Sequence, residues 1–323
     1  MNSMQDDPRT WLKTFKITID SASPYAFNNH RQQIAVQLSV EPQAGQHITQ
    51  RQFDTLAAVY QKDDGTFVRL PMGIPARSWS FSTEQDTRFD YYQGPDAASP
   101  ERASSTVLSK KIYLHTGATG GSKITLFAQI EKNDSTAFQT DAGAFDSQIE
   151  LQAKASPTFE HEDYNFISHA PIGDFQGGSR FNQEHELSLK GVKFSYASFS
   201  PDDTQGSIRW NSRETDREHY ASLFAIALPG SQALYFNERI PLGPDFPPRR
   251  ITQVKTQNPH SIVISIQGDD QIPYKSGYYQ YDTFCSLNVF DRQGNLHRFR
   301  LEFDSNQSTP LLRRQCVVFT STA

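Results

Sequence analysis

The chain has 323 residues and a net charge of -5, and 36% of its residues are apolar. This composition excludes a collagen, a coiled coil, a membrane-spanning protein and a fully disordered chain, and the charge gives no long-range attraction to nucleic acid. The low count of three Met beside 23 Phe and 13 Tyr favours strands over a helical bundle and supplies large areas for a core.

The N-terminal segment, Met1 to Leu12, is polar and acidic, and it lacks the apolar run of a secretory signal. No stretch of the sequence approaches the roughly 18 apolar residues that a membrane helix needs. We therefore expect a protein without a membrane span that is cytoplasmic, or that is released without an N-terminal signal peptide.

Alternating apolar residues are the main local signal in the N-terminal half, and they predict β-strands. The clearest strand runs from Ile34 to Val40 and ends at Pro42. The same alternation predicts strands over Lys13–Ile19, Lys111–His115 and Ile124–Ile130.

Two local signals lie between these strands. Thr49 and Gln52 have the spacing of a capping box, which indicates a short helix, although a strand also fits the residues that follow. Asp63-Asp64-Gly65 predicts the turn of a hairpin from Tyr60 to Leu70, because Asp-Gly supports the positive φ angles that such turns need.

The stretch from Glu84 to Thr106 is polar and contains Gly94-Pro95 and Ser99-Pro100, which predicts a long loop or a linker. Tyr91 and Tyr92 lie in it beside polar neighbours, so core packing gives little reason for their presence. Aromatic rings with polar tips suit sugar rings and protein surfaces alike. We interpret Tyr91 and Tyr92 as the leading binding candidates.

The segment from Thr116 to Lys123 contains three glycines and resembles the Gly-rich turn of short-chain dehydrogenases, in which glycines let the backbone approach a pyrophosphate. That use requires a helix directly behind the glycines, whereas this sequence continues as a strand. We therefore predict a hairpin loop between the strands Lys111–His115 and Ile124–Ile130, and no nucleotide cofactor.

The alternation fades from Pro157 to Arg180, and we place a domain boundary there. This gives an N-terminal β region over 1–158 and a C-terminal β-sandwich domain over 159–323. Whether the loop or linker at 84–106 divides the N-terminal region into two parts stays open. Within the latter, Ser212 to Leu228 fits either a helix or a buried strand. The predicted fold class is mainly β, with tandem antiparallel β-sandwich modules (Ig-like or jelly-roll-like) and one or two short helices.

A residue pattern that recurs in three segments, which we call the sequence echo, bears on the number of modules. Three segments share an apolar strand end, a basic residue, a polar turn and an apolar restart: Val59–Phe67, Gln129–Phe138 and Val289–Leu296. Two explanations stay open. Hairpins converge on this chemistry in many β proteins, or the segments belong to two or three related β-sandwich modules in tandem.

Several His and Asp residues in polar stretches are candidate ligands of calcium or another divalent metal. Histidines and acids cluster between residues 161 and 186, and two pairs of acids lie near a glycine. Solvated loop residues explain the same pattern, and the sequence has neither an EF-hand nor a His-Glu-x-x-His motif. The candidates are His161, Asp163, His169, His185, Asp202, Asp203, Asp269 and Asp270.

Two enzyme-like or membrane-active alternatives follow from the same half. A carbohydrate-active hydrolase needs two carboxylates at a fixed distance across a cleft. The pool for such a pair is Glu160, Glu162, Asp163, Glu184 and Glu186. A β-type pore-forming protein is the other alternative, because Ser and Thr interleave with apolar residues from Ser188 to Ser212.

A second group of tyrosines lies around Gly277 and is either packed between sheets or available for binding. Its members are Tyr278, Tyr279 and Tyr281. Cys285 and Cys316 both lie in strand-like runs near the C-terminus, where they are either two buried free thiols or one disulfide.

The sequence contains no recognisable motif of nucleophile, base and orienting acid, which favours a non-enzymatic protein over an enzyme without deciding between them. We expect a non-enzymatic binding or assembly protein that presents loops and aromatic residues to a protein or a glycan and needs no cofactor. A β-rich chain without a signal and with many Gln, Ser and Thr also suits a component of a bacterial or phage-like particle or a virulence-associated factor. The oligomeric state stays open.

Overall fold

A computed structural model of the chain shows a mainly β protein with several antiparallel sheets, which confirms the predicted secondary-structure class. Helices in the described residues are short: α1 (Gln50–Asp54) and two 3-10 helices, Pro8–Thr10 and His161–Asp163. Across these same residues, no helix has the length and apolar character needed to cross a bilayer. The structure describes residues 7–73, 77–93, 107–141, 143–169, 180–200, 208–212, 219–236, 253–255, 258–269, 285–303 and 317–322.

The chain divides into two compact units, residues 1–157 (unit 1) and 158–323 (unit 2). The strands of unit 1 are β1 (Leu12–Ile19), β2 (Tyr25–Phe27), β3 (Ile34–Pro42), β4 (Ala57–Gln61), β5 (Phe67–Arg69), β6 (Trp79–Ser82), β7 (Leu108–Thr116), β8 (Lys123–Asn133), β9 (Thr136–Gln139) and β10 (Ile149–Lys154).

These strands form two sheets. The first has the order β1-β3-β7-β6, and the second has the order β2-β10-β8-β4-β5, with β9 also paired to β8. Antiparallel pairing prevails, and β2 with β10 is a parallel pair. Because β6 pairs directly with β7, the strands on either side of residues 84–106 lie next to each other in one sheet.

Alternation explains the core of unit 1. Phe15 and Ile17 of β1 and Leu38 of β3 are buried, as the period of two over these strands predicts. Ile17 and Leu38 are direct partners across the two strands. One hydrophobic cluster joins these side chains with buried residues of the second sheet, among them Leu126 and Ile130 of β8.

The two local signals between the strands are confirmed. Thr49 Oγ1 accepts the Gln52 N–H at 3.3 Å, and Gln52 Oε1 accepts the Thr49 N–H at 2.9 Å, which is the reciprocal capping box that starts α1. β4 and β5 form the predicted hairpin, in which Gly65 has a φ of +84°.

The two strands that flank the Gly-rich segment do not pair with each other, contrary to the prediction. β7 and β8 flank it, but β7 pairs with β3 and β6 while β8 pairs with β4, β9 and β10. The prediction of a hairpin loop was therefore wrong, because this segment carries the chain from one sheet to the other. A Cβ on Gly120 would lie 2.7 Å from the backbone N of Ala155, so its glycine permits close packing against the chain after β10.

The strands of unit 2 also form two sheets, of order β11-β12-β17-β15-β14, with β16 paired to β15, and β13-β18-β19-β20. Residues Ser212 to Leu228, which fit a helix or a strand, contain strand β15 and no helix in their described part. The strands are β11 (Tyr164–Ser168), β12 (Arg180–Leu189), β13 (Phe194–Phe199), β14 (Ile208–Ser212), β15 (His219–Ala227), β16 (Leu234–Phe236), β17 (Ile262–Asp269), β18 (Cys285–Asp291), β19 (Leu296–Phe303) and β20 (Val317–Thr322).

The core of unit 2 again contains residues of both of its sheets. Leu187 of β12 and Ile264 of β17 are fully buried in one hydrophobic cluster with Leu287, Phe299 and Leu301 of the four-stranded sheet. These positions alternate along each strand with residues that face away from the cluster.

The two units share a set of strand connections. In unit 1, β1-β3, β3-β7 and β7-β6 build one sheet, and β4-β8 and β8-β9 build part of the other. Unit 2 makes the same five antiparallel pairings between strands in the same chain order: β11-β12, β12-β17, β17-β15, β13-β18 and β18-β19. Two of the three segments in the sequence echo fall on the equivalent hairpins β8-β9 and β18-β19.

Candidate functional site

The segment of residues 84–93, which we call the docked segment, leaves β6 and is held against unit 1 by two buried glutamines. Gln33 donates from Nε2 to Ser82 Oγ at 3.0 Å and to the Glu84 carbonyl at 3.3 Å. Its Oε1 accepts the Asp86 N–H at 2.8 Å. Both polar atoms of this amide are thereby used on the end of β6 and the start of the segment.

Gln32 holds the other end of the docked segment. Its Nε2 donates to the Asp90 carbonyl at 3.3 Å, and its Oε1 accepts the Phe27 N–H of β2 at 2.9 Å. Phe89, between these two attachments, is itself 6% exposed. The segment that carries Tyr91 and Tyr92 is therefore fixed by hydrogen bonds from two buried glutamines and by an apolar side chain.

We expect Gln33→Ala to release the docked segment. The substitution removes three hydrogen bonds of a buried amide, and a loss of about 2 kcal/mol raises the opened population about 30-fold. Trypsin cleavage after the exposed Arg88 should accelerate accordingly. Gln37→Ala on β3, where the amide meets only Ser39 at 3.4 Å, is the control that should leave the cleavage rate unchanged. Equal rates in both variants would contradict the role given to Gln33.

The docked segment completes an aromatic cluster on unit 1, which consists of Tyr25, Phe27 and Tyr92. The ring of Tyr92 meets those of Tyr25 and Phe27 edge to face, with centroids 5.7 and 5.3 Å apart. The ammonium of Lys154 lies over Tyr25, 4.2 Å from its centroid. Tyr25, Phe27 and Tyr92 are half-buried, as is the neighbouring Tyr91, so each keeps part of its surface in solvent.

Tyr91 lies in a less solvated environment than an isolated surface tyrosine. Burial, together with Tyr113 and Asp20, raises the pKa of Tyr91 to about 12. Its hydroxyl therefore stays protonated at neutral pH and remains a hydrogen-bond donor. Asp20 forms an ion pair with Lys111 on β7, which neutralises the nearest carboxylate.

Charges of both signs surround the docked segment. Asp86 receives two hydrogen bonds from the Arg88 guanidinium, at 2.9 and 2.7 Å, and these lower the pKa of Asp86. Burial and the nearby Arg88 lower the pKa of Arg31. The interspersed charges give the surface no single sign.

Several of the predicted site residues lie outside the part of the chain that the structure describes. For Asp269, the last residue of β17, this is true of the side chain. The others are Asp202, Asp203, Asp270, Tyr278, Tyr279 and Tyr281. Cys316 lies outside the described residues, as does the side chain of Cys285.

The histidine candidates for a metal lie at two ends of one strand. His161 and Asp163 precede β11, while His169 follows it and approaches His185 of β12. Five strand residues separate the two groups, a span of roughly 17 Å. Within the described ranges, no three His, Cys, Asp or Glu side chains converge as metal ligands.

The acidic residues of β12 are engaged with a neighbouring segment. Glu184 is 2% exposed and accepts the Lys255 N–H at 2.9 Å. Glu186 accepts from Asn258 Nδ2 at 2.6 Å and lies 3.7 Å from His169 Nε2. These carboxylates hold Lys255 and Asn258 against the sheet. Glu160, Glu162 and Asp163 lie beyond the other end of β11.

Sequence reasoning missed the contacts that two buried histidines make in unit 2. His185 Nδ1 lies 2.9 Å from Ser168 Oγ. His297 is bonded through Nδ1 to Tyr164 Oη at 2.8 Å and through Nε2 to Asp291 Oδ2 at 3.3 Å. Strand position was the available signal, because each histidine lies two residues from a core residue on the same face of its strand: His185 from Leu187, and His297 from Phe299.

Unit 1 contains a comparable pair on neighbouring strands. His115 Nδ1 of β7 lies 3.1 Å from Ser80 Oγ of β6, and both residues are buried. Burial and the nearby His30 lower the pKa of His115, so its ring is neutral at pH 7. With less than a tenth of either side chain exposed, the pair connects two strands and offers little surface to a substrate.

Comparison with known proteins gives no family assignment. No family model matches the sequence, and no curated protein is significantly similar to it.

Proposed function

We propose that the chain is a non-enzymatic binding or assembly protein that contacts a protein or a glycan through the aromatic cluster on unit 1 and the neighbouring Tyr91. The observation that carries this proposal is the fixation of Tyr91 and Tyr92 by buried Gln32 and Gln33 while their rings keep part of their surface in solvent. A surface that is ordered before binding loses little conformational entropy when a partner docks.

The chemistry of the cluster suits such a partner. Tyrosine rings offer apolar faces and a hydroxyl that donates a hydrogen bond, and they have few torsions to immobilise. The ammonium of Lys154 beside Tyr25 adds a cation at the edge of the aromatic surface. Sugar hydroxyls and peptide carbonyls are the acceptors that these donors would bind.

We further propose that each unit is a β-sandwich module with Ig-like connectivity, and that the two modules are arranged in tandem. The support is the shared set of five pairings, which follows the order of the constant-type Ig fold: four strands in one sheet and three in the other. Hydrophobic clusters that contain residues of both sheets in each unit fit this arrangement. Such scaffolds hold their connecting loops rigidly for recognition.

The test is a glycan array probed with the full chain and with Tyr91→Ala and Tyr92→Ala. We expect binding to a restricted set of glycans, weakened about 30-fold by either variant, because a central aromatic contact contributes about 2 kcal/mol. Tyr235→Ala is the matched control, since Tyr235 is a 51% exposed tyrosine of unit 2. An array without binding, or binding that all three variants weaken equally, would contradict a glycan-binding role of the cluster.

A further inference from the structure

His185 connects the edge strand of the six-stranded sheet in unit 2 to its neighbour. The ring is 1% exposed, and its Nδ1 lies 2.9 Å from Ser168 Oγ at the end of β11. It stacks on Phe166 of the same strand, with centroids 5.0 Å apart and an interplanar angle of 5°. Two contacts of one imidazole therefore hold the C-terminal half of β11.

The other ring nitrogen, His185 Nε2, is buried and makes no hydrogen bond to any residue that the structure describes. We assign the neutral tautomer in which Nδ1–H donates to Ser168 and Nε2 is bare, because a bare nitrogen costs less in an apolar site than an N–H without an acceptor. A second proton would add that unsatisfied N–H and a positive charge together.

The groups around the ring oppose this charge. The residue that pairs with His185 on the neighbouring strand β17 is the apolar Ile264. On β12 itself, Leu187 lies on the same face as His185. Among the described residues packed against it, His169 supplies a like charge when protonated. Glu184 and Glu186 alternate to the opposite face of β12, where Glu184 accepts from Lys255 and Glu186 accepts from Asn258 and lies 3.7 Å from His169 Nε2.

We propose that His185 makes β11 an acid-sensitive strand, in which protonation of the buried imidazole detaches the Phe166–His169 end of β11 from β12. Opening is the easier route to hydrating the charge, because β11 is a short edge strand with exposed residues at Asn165, Ile167 and Ser168. The Tyr164 end stays attached, since its hydroxyl is bonded to buried His297.

The direction of the pH effect follows from the pKa of His185, which burial, with a smaller contribution from His169, lowers to about 4. A base whose folded pKa lies below its unfolded value of about 6.5 stabilises the closed state fully above pH 6.5. That stabilisation decreases as the pH falls from about 6.5 to about 4. By pH 4.5 the closed state should be weakened on the order of 50-fold.

Hydrogen exchange of the full chain at pH 7.5 and pH 4.5, corrected for intrinsic rates, tests the proposal. We expect amides 166–169 to lose protection on the order of 50-fold relative to β17. His185→Gln should abolish this loss, because its amide does not titrate. His161→Gln, which changes an exposed histidine of the same unit, should behave as the parent chain does.

A second variant and a direct titration keep the test decisive. If His185→Gln does not fold, His185→Phe retains a ring against Phe166 and should hold β11 closed at pH 4.5. NMR titration of the His185 ring should coincide with the loss of protection. Loss of protection that persists in the folded variants, or a ring that titrates while β11 stays protected, would overturn the proposal.

Discussion

Asp291→Ala should destabilise unit 2 by about 3 to 5 kcal/mol, the cost of removing one partner from a buried charged network. The Asp291 side chain is fully buried at the end of β18, in the turn of the β18-β19 hairpin. Urea unfolding monitored by hydrogen exchange in this hairpin measures the loss directly.

The expected size comes from the number of donors that Asp291 satisfies. Its Oδ1 accepts the N–H groups of Gln293 and Asn295 at 2.8 and 2.9 Å. Its Oδ2 accepts from Asn295 Nδ2 at 2.9 Å and from His297 Nε2 at 3.3 Å. Alanine removes the acceptor of all four of these hydrogen bonds, and each buried donor that loses its acceptor costs about 1 to 3 kcal/mol before the turn relaxes.

Asp134→Ala is the matched control, because Asp134 lies in the turn of the corresponding β8-β9 hairpin of unit 1. Its side chain is 91% exposed, and so is most of the Arg51 side chain with which it pairs. An exposed ion pair contributes about 0 to 1 kcal/mol, so this change should be near neutral. Comparable losses in the two variants would show that turn position, not burial of the network, determines the effect.

The sequence predicted strands well where one face of a sheet is buried. The alternation is regular from Phe15 to Ile17 in β1 and from Val36 to Val40 in β3, where one less buried residue separates successive buried ones. Alternation carries no information on pairing, however. The strands around the Gly-rich segment were therefore predicted correctly while their pairing was not, since partners are chosen by the whole set of strands.

For the buried polar contacts, too, the position of a residue could be predicted from its own strand, but its partner could not. His297 shares its phase with Phe299 and Leu301, so its inward position could have been read from β19 alone. Its partner Tyr164 is 133 residues away in sequence, and no local pattern connects the two. The attachment of the docked segment is equally non-local, because Gln33 and Asp86 are 53 residues apart. Tyr91 and Tyr92 could be singled out from the sequence, but not their fixation.

Gly120→Ala should destabilise unit 1 by about 3 kcal/mol, the upper end of the cost of overpacking. The added Cβ would lie 2.7 Å from the Ala155 N and 2.8 Å from its Cα, and backbone atoms cannot rotate away as a flexible side chain can. The segment would have to retreat from β10. That movement would also strain the hydrogen bond from the Gly121 N–H to the Ala153 carbonyl, which measures 2.8 Å.

Gly121→Ala separates this close contact from backbone strain. Gly121 has a φ of +92° and no atom within 4 Å of an added Cβ, so its substitution should cost about 1 kcal/mol from conformation alone. Thermal unfolding of both variants gives the comparison, with the larger decrease in Tm expected for Gly120→Ala. An equal or larger decrease for Gly121→Ala would mean that turn conformation is the main requirement. The expected order instead makes these glycines a contact between the sheet crossover and Ala155, which explains a Gly-rich segment that has no helix behind it to bind a phosphate.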